Sequence, residues 1–161
     1  MRIEDGFLLN VKDSNIVNGT FEIPDRVTAI GPSAFRFCKR LQSIEIPNSV
    51  TIIGADAFYG CTNLQSVIIP NSVKTIGKGA FVSCDSLQSI VIPNSVVNVW
   101  ESIFEGCKNL QSVVLPATIK HITSGFFKNC TSLTDVTLSK KCEFELGAFE
   151  GCTNLRHIHE I

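Results

Sequence analysis

The sequence lacks an excess of either charge: 14 Lys and Arg stand against 15 Asp and Glu, for a net charge of −1. Nucleic acids and anionic membrane surfaces are recognised by clustered Lys and Arg that displace counterions, so neither is an expected partner. No apolar run approaches the roughly 18 residues that a membrane span needs, which argues against membrane insertion. A secretory leader is also missing, because the stretch Phe7-Leu8-Leu9 is too short and too closely flanked by Glu4 and Asp5. As written the chain reads as cytoplasmic; as a mature form or a fragment it would read as extracellular or cell-surface. Although there are seven Cys, no C-x-x-C pair occurs, which removes the commonest zinc-binding spacing. Charged residues make up only 18% of the chain, against roughly 25% in an average globular protein. Apolar residues make up 44% of the 161, enough for one core.

What the chain does have is a period. Phe35, Phe58, Phe81, Phe104 and Phe127 are 23 residues apart, and so are Cys38, Cys61, Cys84, Cys107 and Cys130. Leu41, Leu64, Leu87, Leu110 and Leu133 repeat in the same way, and Pro24, Pro47, Pro70, Pro93 and Pro116 complete the frame. The units run 23–45, 46–68, 69–91, 92–114 and 115–137. A sixth, 138–159, is one residue shorter and sets Phe149, Cys152, Leu155 and Ile158 in the matching slots. Residues 1–22 are left as an N-terminal cap of short strands or a hairpin, and 23–161 form a single repeat domain.

Within a unit, Leu64-x-x-Val67-x-Ile69 alternates with period two and stops at Pro70, the pattern of a short strand followed by a corner. Val50-Thr51-Ile52-Ile53 is a second β-prone run closed by Gly54, and Ala57-Phe58-x-x-Cys61 has the spacing of one helical or 3-10 turn. One unit cannot bury its own apolar face, whereas stacked copies set each inward residue on its equivalent in the next coil. The expected fold is a right-handed, mildly curved repeat solenoid, mainly β with short helical or 3-10 turns. Six strands, with a seventh at Phe21 to Pro24, would stack about 4.8 Å apart into a rod roughly 30 Å long. Low charge follows, since like charges on adjacent strands form repelling ladders. The cysteines follow too. Six share one inward slot and Cys142 takes the slot of Val27, Val50, Val73, Val96 and Ile119. Side chains in register do not adopt the near-90° dihedral of a disulfide. All seven are expected as inward free thiols acting as small hydrophobes, which suits a reducing compartment.

The unit L-x-x-[IV]-x-[IL]-P-x-S-V-x-x-I-G-x-x-A-F-x-x-C resembles the BspA-like, or Treponema pallidum type, class of leucine-rich repeats over 137 of the 161 residues. Ser49, Ser72 and Ser95 stand where the general leucine-rich pattern has Asn or Cys, which favours a flatter stack with a second short strand per coil. Members of the family are surface or secreted proteins implicated in adhesion and host-matrix binding. The resemblance therefore implies a non-enzymatic leucine-rich repeat scaffold that binds a protein or glycan.

The outward residues of the strands are the candidate contact surface. One column is Ser43, Ser66, Ser89, Ser112, Asp135 and His157; the next is Glu45, Ile68, Val91, Val114, Thr137 and His159. Ile68, Val91 and Val114 make an aliphatic stripe at its centre. Ser112, Asp135 and His157 stand in one column, but the carboxylate lies between the other two, whereas a catalytic triad needs the imidazole there. No catalytic residue is therefore assigned. His157 and His159 with Asp135 have ligating chemistry, yet exposed histidines on a terminal strand are common without a metal, and neither metal nor cofactor is expected. Two departures remain. The column Gly31, Gly54, Gly77 becomes Trp100 and Thr123, and Ala34, Ala57, Ala80 becomes Ile103 and Phe126; Trp100 is expected to pack over the neighbouring coils. The last strand, with Leu155, Ile158 and Ile161, has nothing stacked beyond it, so end-to-end assembly or a homodimer through this end is the alternative role.

Overall fold

The computed structural model describes residues 1–161 and shows a β-solenoid. A hairpin of β1 (Arg2–Glu4) and β2 (Phe7–Asn10) opens it. Each coil then adds two strands: β3 (Ala29–Ile30) and β4 (Ser43–Glu45), β5 (Ile52–Ile53) and β6 (Ser66–Ile68), β7 (Thr75–Ile76) and β8 (Ser89–Val91). The last three coils add β9 (Asn98–Val99) and β10 (Ser112–Val114), β11 (His121–Ile122) and β12 (Asp135–Leu138), β13 (Glu143–Phe144) and β14 (His157–Glu160). Strands β4, β6, β8, β10, β12 and β14 line one face, hydrogen-bonded as β4-β6 and as β8-β10-β12-β14. The second face carries β1-β2-β3-β5-β7-β9 and then β11-β13. All strand pairings after the hairpin are parallel, and between coils they set equivalent residues opposite one another: Ser43 faces Ser66, and Ser89 faces Ser112. The sequence period is thus the sheet register. No helix is long and apolar enough to cross a membrane.

The segment expected as a helical turn is a series of single turns. Ala57 N–H bonds Gly54 O, Tyr59 N–H bonds Asp56 O, and Cys61 N–H bonds Phe58 O. Two left-handed residues per coil interrupt it, as at Asp56 (φ 53°) and Gly60 (φ 68°), and such residues do not extend a right-handed helix. They leave the N–H groups of Asp56, Phe58 and Gly60 to bond the carbonyls of Lys78, Ala80 and Val82 in the next coil. A third ladder therefore runs along the rod beside the two sheets. The one 3-10 helix lies in the cap, at Asp13–Asn15.

A single cluster of 43 buried apolar residues fills the interior. At its centre Phe35, Phe58, Phe81, Phe104, Phe127 and Phe149 stack with ring centroids 5.0 to 5.8 Å apart and planes within 12° of parallel. Phe21 closes the stack edge-on at one end and Phe144 at the other. The expected strand at Phe21 to Pro24 is therefore absent: Phe21 turns onto Phe35, and only an isolated bridge from Thr20 to Ser43 extends the sheet.

All seven cysteines are free. Five are buried, but Cys142 and Cys152 are half-buried, because the last coil has no neighbour on its outer side. The ladder thiols also hydrogen-bond. Cys61 Sγ donates to Phe35 O at 3.0 Å, Cys84 Sγ to Phe58 O at 3.3 Å and Cys107 Sγ to Phe81 O at 3.0 Å, tying each coil to the one before it. Burial, reinforced by Asp13, pushes the Cys38 thiol up to about 11, so it keeps its proton at neutral pH.

The second sheet breaks at a substitution visible in the sequence. Gly31, Gly54 and Gly77 each send an N–H to the preceding coil, reaching Leu8 O, Ile30 O and Ile53 O at 2.8 Å. Trp100 in the fourth unit and Thr123 in the fifth fill that slot and make no such bond, and β9 and β11 are not paired, so the sheet stops at β9. Trp100 is 57% exposed, which overturns the expectation that it packs over its neighbours. The larger groups that do enter the core are Ile103 and Phe126, the latter edge-on to Phe104 and Phe127.

Candidate functional site

The outward columns of the first sheet lie on one continuous face, and none of their twelve residues is buried. Strand alternation explains this: Ile44, Val67, Ile90, Val113 and Val136 take the inward positions, so the residues on either side of each must point out. The aliphatic stripe is open to solvent, with Ile68 60%, Val91 62% and Val114 37% exposed. Between Ile68 and Val91 runs a seam. Ile46 N–H bonds Ile68 O and Ile92 N–H bonds Val114 O, whereas Ile69 makes no equivalent bond to Val91.

At the N-terminal end this face deepens into a groove of about 600 Å³, floored by Ser43, Ile44, Ser66 and Ile68 and walled by Phe21, Glu22 and Asp25. The wall exists because the chain from Phe21 onwards leaves the sheet. Glu22, Asp25 and Glu45 give the groove an acidic rim.

The opposite end has different chemistry. Asp135 Oδ1 accepts hydrogen bonds from His157 Nδ1 and His159 Nε2, both at 3.1 Å. The Thr134 hydroxyl, then the His159 and His157 rings, hold the Asp135 carboxyl below its ordinary range. Register sets Ser112 beside Asp135 and Asp135 beside His157, so the carboxylate separates hydroxyl from imidazole and Ser112 makes no hydrogen bond to either histidine. That is not the order of a hydroxyl–imidazole–carboxylate triad. A second imidazole–carboxylate pair, His121 with Glu145 at 3.1 Å, sits on the other sheet.

Sequence reasoning missed two features. The first is the pair of left-handed columns, Ser33, Asp56, Gly79, Ser102, Gly125, Gly147 and Phe37, Gly60, Ser83, Gly106, Asn129, Gly151. Part of their signal was present, since Gly, Asn and Asp tolerate positive φ and recur at these offsets, whereas Ser33, Ser83, Ser102 and Phe37 carry no such mark. The second is the groove, which depends on Phe21 capping the aromatic stack and has no local signal.

Comparison with known proteins agrees with this architecture. The family described as BspA type leucine rich repeat region matches in six copies, over residues 13–99 and 51–160. Among solved structures, a leucine rich cell surface protein from Faecalibacterium prausnitzii is 33% identical with a TM-score of 0.72 over 75% of this chain and 32% of its own. The Treponema pallidum leucine rich repeat protein is 28% identical with a TM-score of 0.65 over 86% of this chain and 78% of its own. The pneumococcal vaccine antigen PcpA, 21% identical, shares the fold with a TM-score of 0.79 over 91% of this chain and 37% of its own. The chain thus spans about a third of the length of the first and third of these proteins. No curated protein matches.

Proposed function

The chain belongs to the BspA-type leucine-rich repeat family, and from that premise we propose that it is a non-enzymatic scaffold whose first-sheet face docks a protein partner. The observation that carries this reading is the stripe of Ile68, Val91 and Val114, aliphatic and exposed in three successive coils where a lone exposed aliphatic would need no explanation. The acidic groove beside it supplies charge complementarity for a partner with a basic group next to an apolar one. A protein is favoured over a glycan because the two outward columns contain no Phe, Tyr or Trp on which a sugar ring would stack. The cell-surface description of the Faecalibacterium relative suits a binding role of this kind.

The test is capture of partners from the surroundings of the source cell by wild type and by Val91→Lys, with a glycan array alongside. Val91 points outward, so the variant folds. Loss of the captured proteins supports the face; undiminished capture by the variant, or binding to glycans alone, refutes it.

A second reading, assembly through the last coil, is supported by the exposure there of Leu146 (99%), Phe144 (52%) and Ile161 (59%). Further coils or a second copy would cover the same surface. Light scattering separates the cases: a monomer at all concentrations rules out self-assembly.

A further inference from the structure

At the C-terminal end of the first-sheet face the repeat departs from itself at three neighbouring points. The serine column ends in Asp135 and His157, and the aliphatic column beside it ends in His159. Alternation along β14 sends His157 and His159 out on the same side, and parallel pairing sets Asp135 directly beside His157. Asp135 Oδ1 comes to lie 3.1 Å from a ring nitrogen of each histidine. All three candidate ligand atoms fall within 4.8 Å of one another.

We infer that Asp135, His157 and His159 form a surface site for a late first-row divalent cation, zinc above all. Zinc bonds nitrogen and oxygen ligands at about 2.0–2.1 Å in a tetrahedron, so neighbouring ligand atoms sit roughly 3.4 Å apart. The two oxygen–nitrogen separations are already close to that, and only the imidazoles must close on each other. Both rings are exposed, so the movement takes place in solvent and displaces no core side chain. Two imidazoles with one carboxylate suit zinc, whereas calcium and magnesium take oxygen ligands throughout.

A metal takes each imidazole through a nitrogen that carries no proton, so the proton on that nitrogen passes through water to the other ring nitrogen or, where that one is already protonated, to solvent, and the carboxylate trades two N–H donors for the metal. Three protein ligands leave the remaining positions to water, or to a donor atom of whatever the face contacts. The other imidazole–carboxylate pair lacks this capacity: His121 meets only Glu145, whose Oε2 is held by the Ser124 N–H.

The experiment is calorimetric titration of the reduced, untagged chain with zinc chloride, followed by the absorption spectrum of the cobalt(II) form. One site is expected. His159→Gln and Asp135→Asn should each weaken it at least tenfold, since even the outer partners of metal ligands are worth roughly 10–100-fold. His121→Gln should leave it unchanged, and cobalt should give visible bands with no thiolate charge transfer. Circular dichroism checks that the variants remain folded. Absence of heat, equal affinity in all variants, or a cobalt–thiolate band assigning the metal to Cys142 or Cys152 would each overturn the site.

Discussion

Gly54→Ala separates two physical effects of opposite sign. Gly54 is not at positive φ, so alanine fits its backbone, and lower unfolded-state entropy alone would stabilise the protein by about 0.4–1 kcal/mol. The packing says otherwise. A Cβ there would lie 2.7 Å from Gly31 C, 2.7 Å from Pro32 N and 2.9 Å from Ile30 O, all backbone atoms of the preceding coil. Relief requires moving that coil, against the Gly54 N–H to Ile30 O bond of 2.8 Å and the Phe35–Phe58 stack at 5.0 Å. Overpacking of this kind costs about 1–3 kcal/mol. Set against the entropic gain, a net loss of about 1–2 kcal/mol is expected. Urea unfolding followed by circular dichroism would read this as a midpoint lowered by roughly 0.5–1 M at unchanged slope, for a slope of about 2 kcal/mol/M. Gly54→Ala with Gly77→Ala should be more damaging than the sum, because a Cβ at Gly77 strikes Gly54 C and Ala55 N from the following coil and so opposes the shift that would relieve Gly54→Ala. A midpoint raised by Gly54→Ala would refute the claim that glycine is required here for close approach.

Phe81→Ala removes a fully buried ring held between Phe58 at 5.3 Å and Phe104 at 5.8 Å, and should destabilise by about 3–5 kcal/mol in the same assay. In thiol titration of the native, reduced protein, Cys142 and Cys152 should react first and the five buried thiols only on unfolding; fast modification of all seven would contradict the thiol ladder. Trp100 should emit at long wavelength and be readily quenched by acrylamide, and a blue, protected emission would show that it packs after all.

Period, register and inward slots were legible in the sequence because a solenoid stacks like on like. Once Phe35 and Phe58 share a slot, the equivalence of every residue between them follows, and the sheet pairing of Ser43 with Ser66 is the same statement in space. What escaped is whatever breaks that equivalence. The exchange of Gly77 for Trp100 in the next unit was visible, but its outcome depends on a contest between two neighbouring slots. Ile103 and Phe126, in the alanine column, take the interior and Trp100, in the glycine column, stays exposed, and a pattern of single columns does not rank the two slots. Phe21 escaped for a related reason: the first ring of a stack has no preceding ring to lie on, so it turns edge-on to Phe35 and leaves the sheet. That turn creates the groove wall at Glu22 and Asp25. At the other end Asp135, His157 and His159 have no counterparts in earlier coils, and the repeat constrains only their backbone, not their partners. Function in this fold is accordingly sought where the repeat fails. Inward columns are occupied by what stacking requires, so the residues free to carry recognition chemistry are the outward ones: the aliphatic stripe and its seam, the groove and the histidine end.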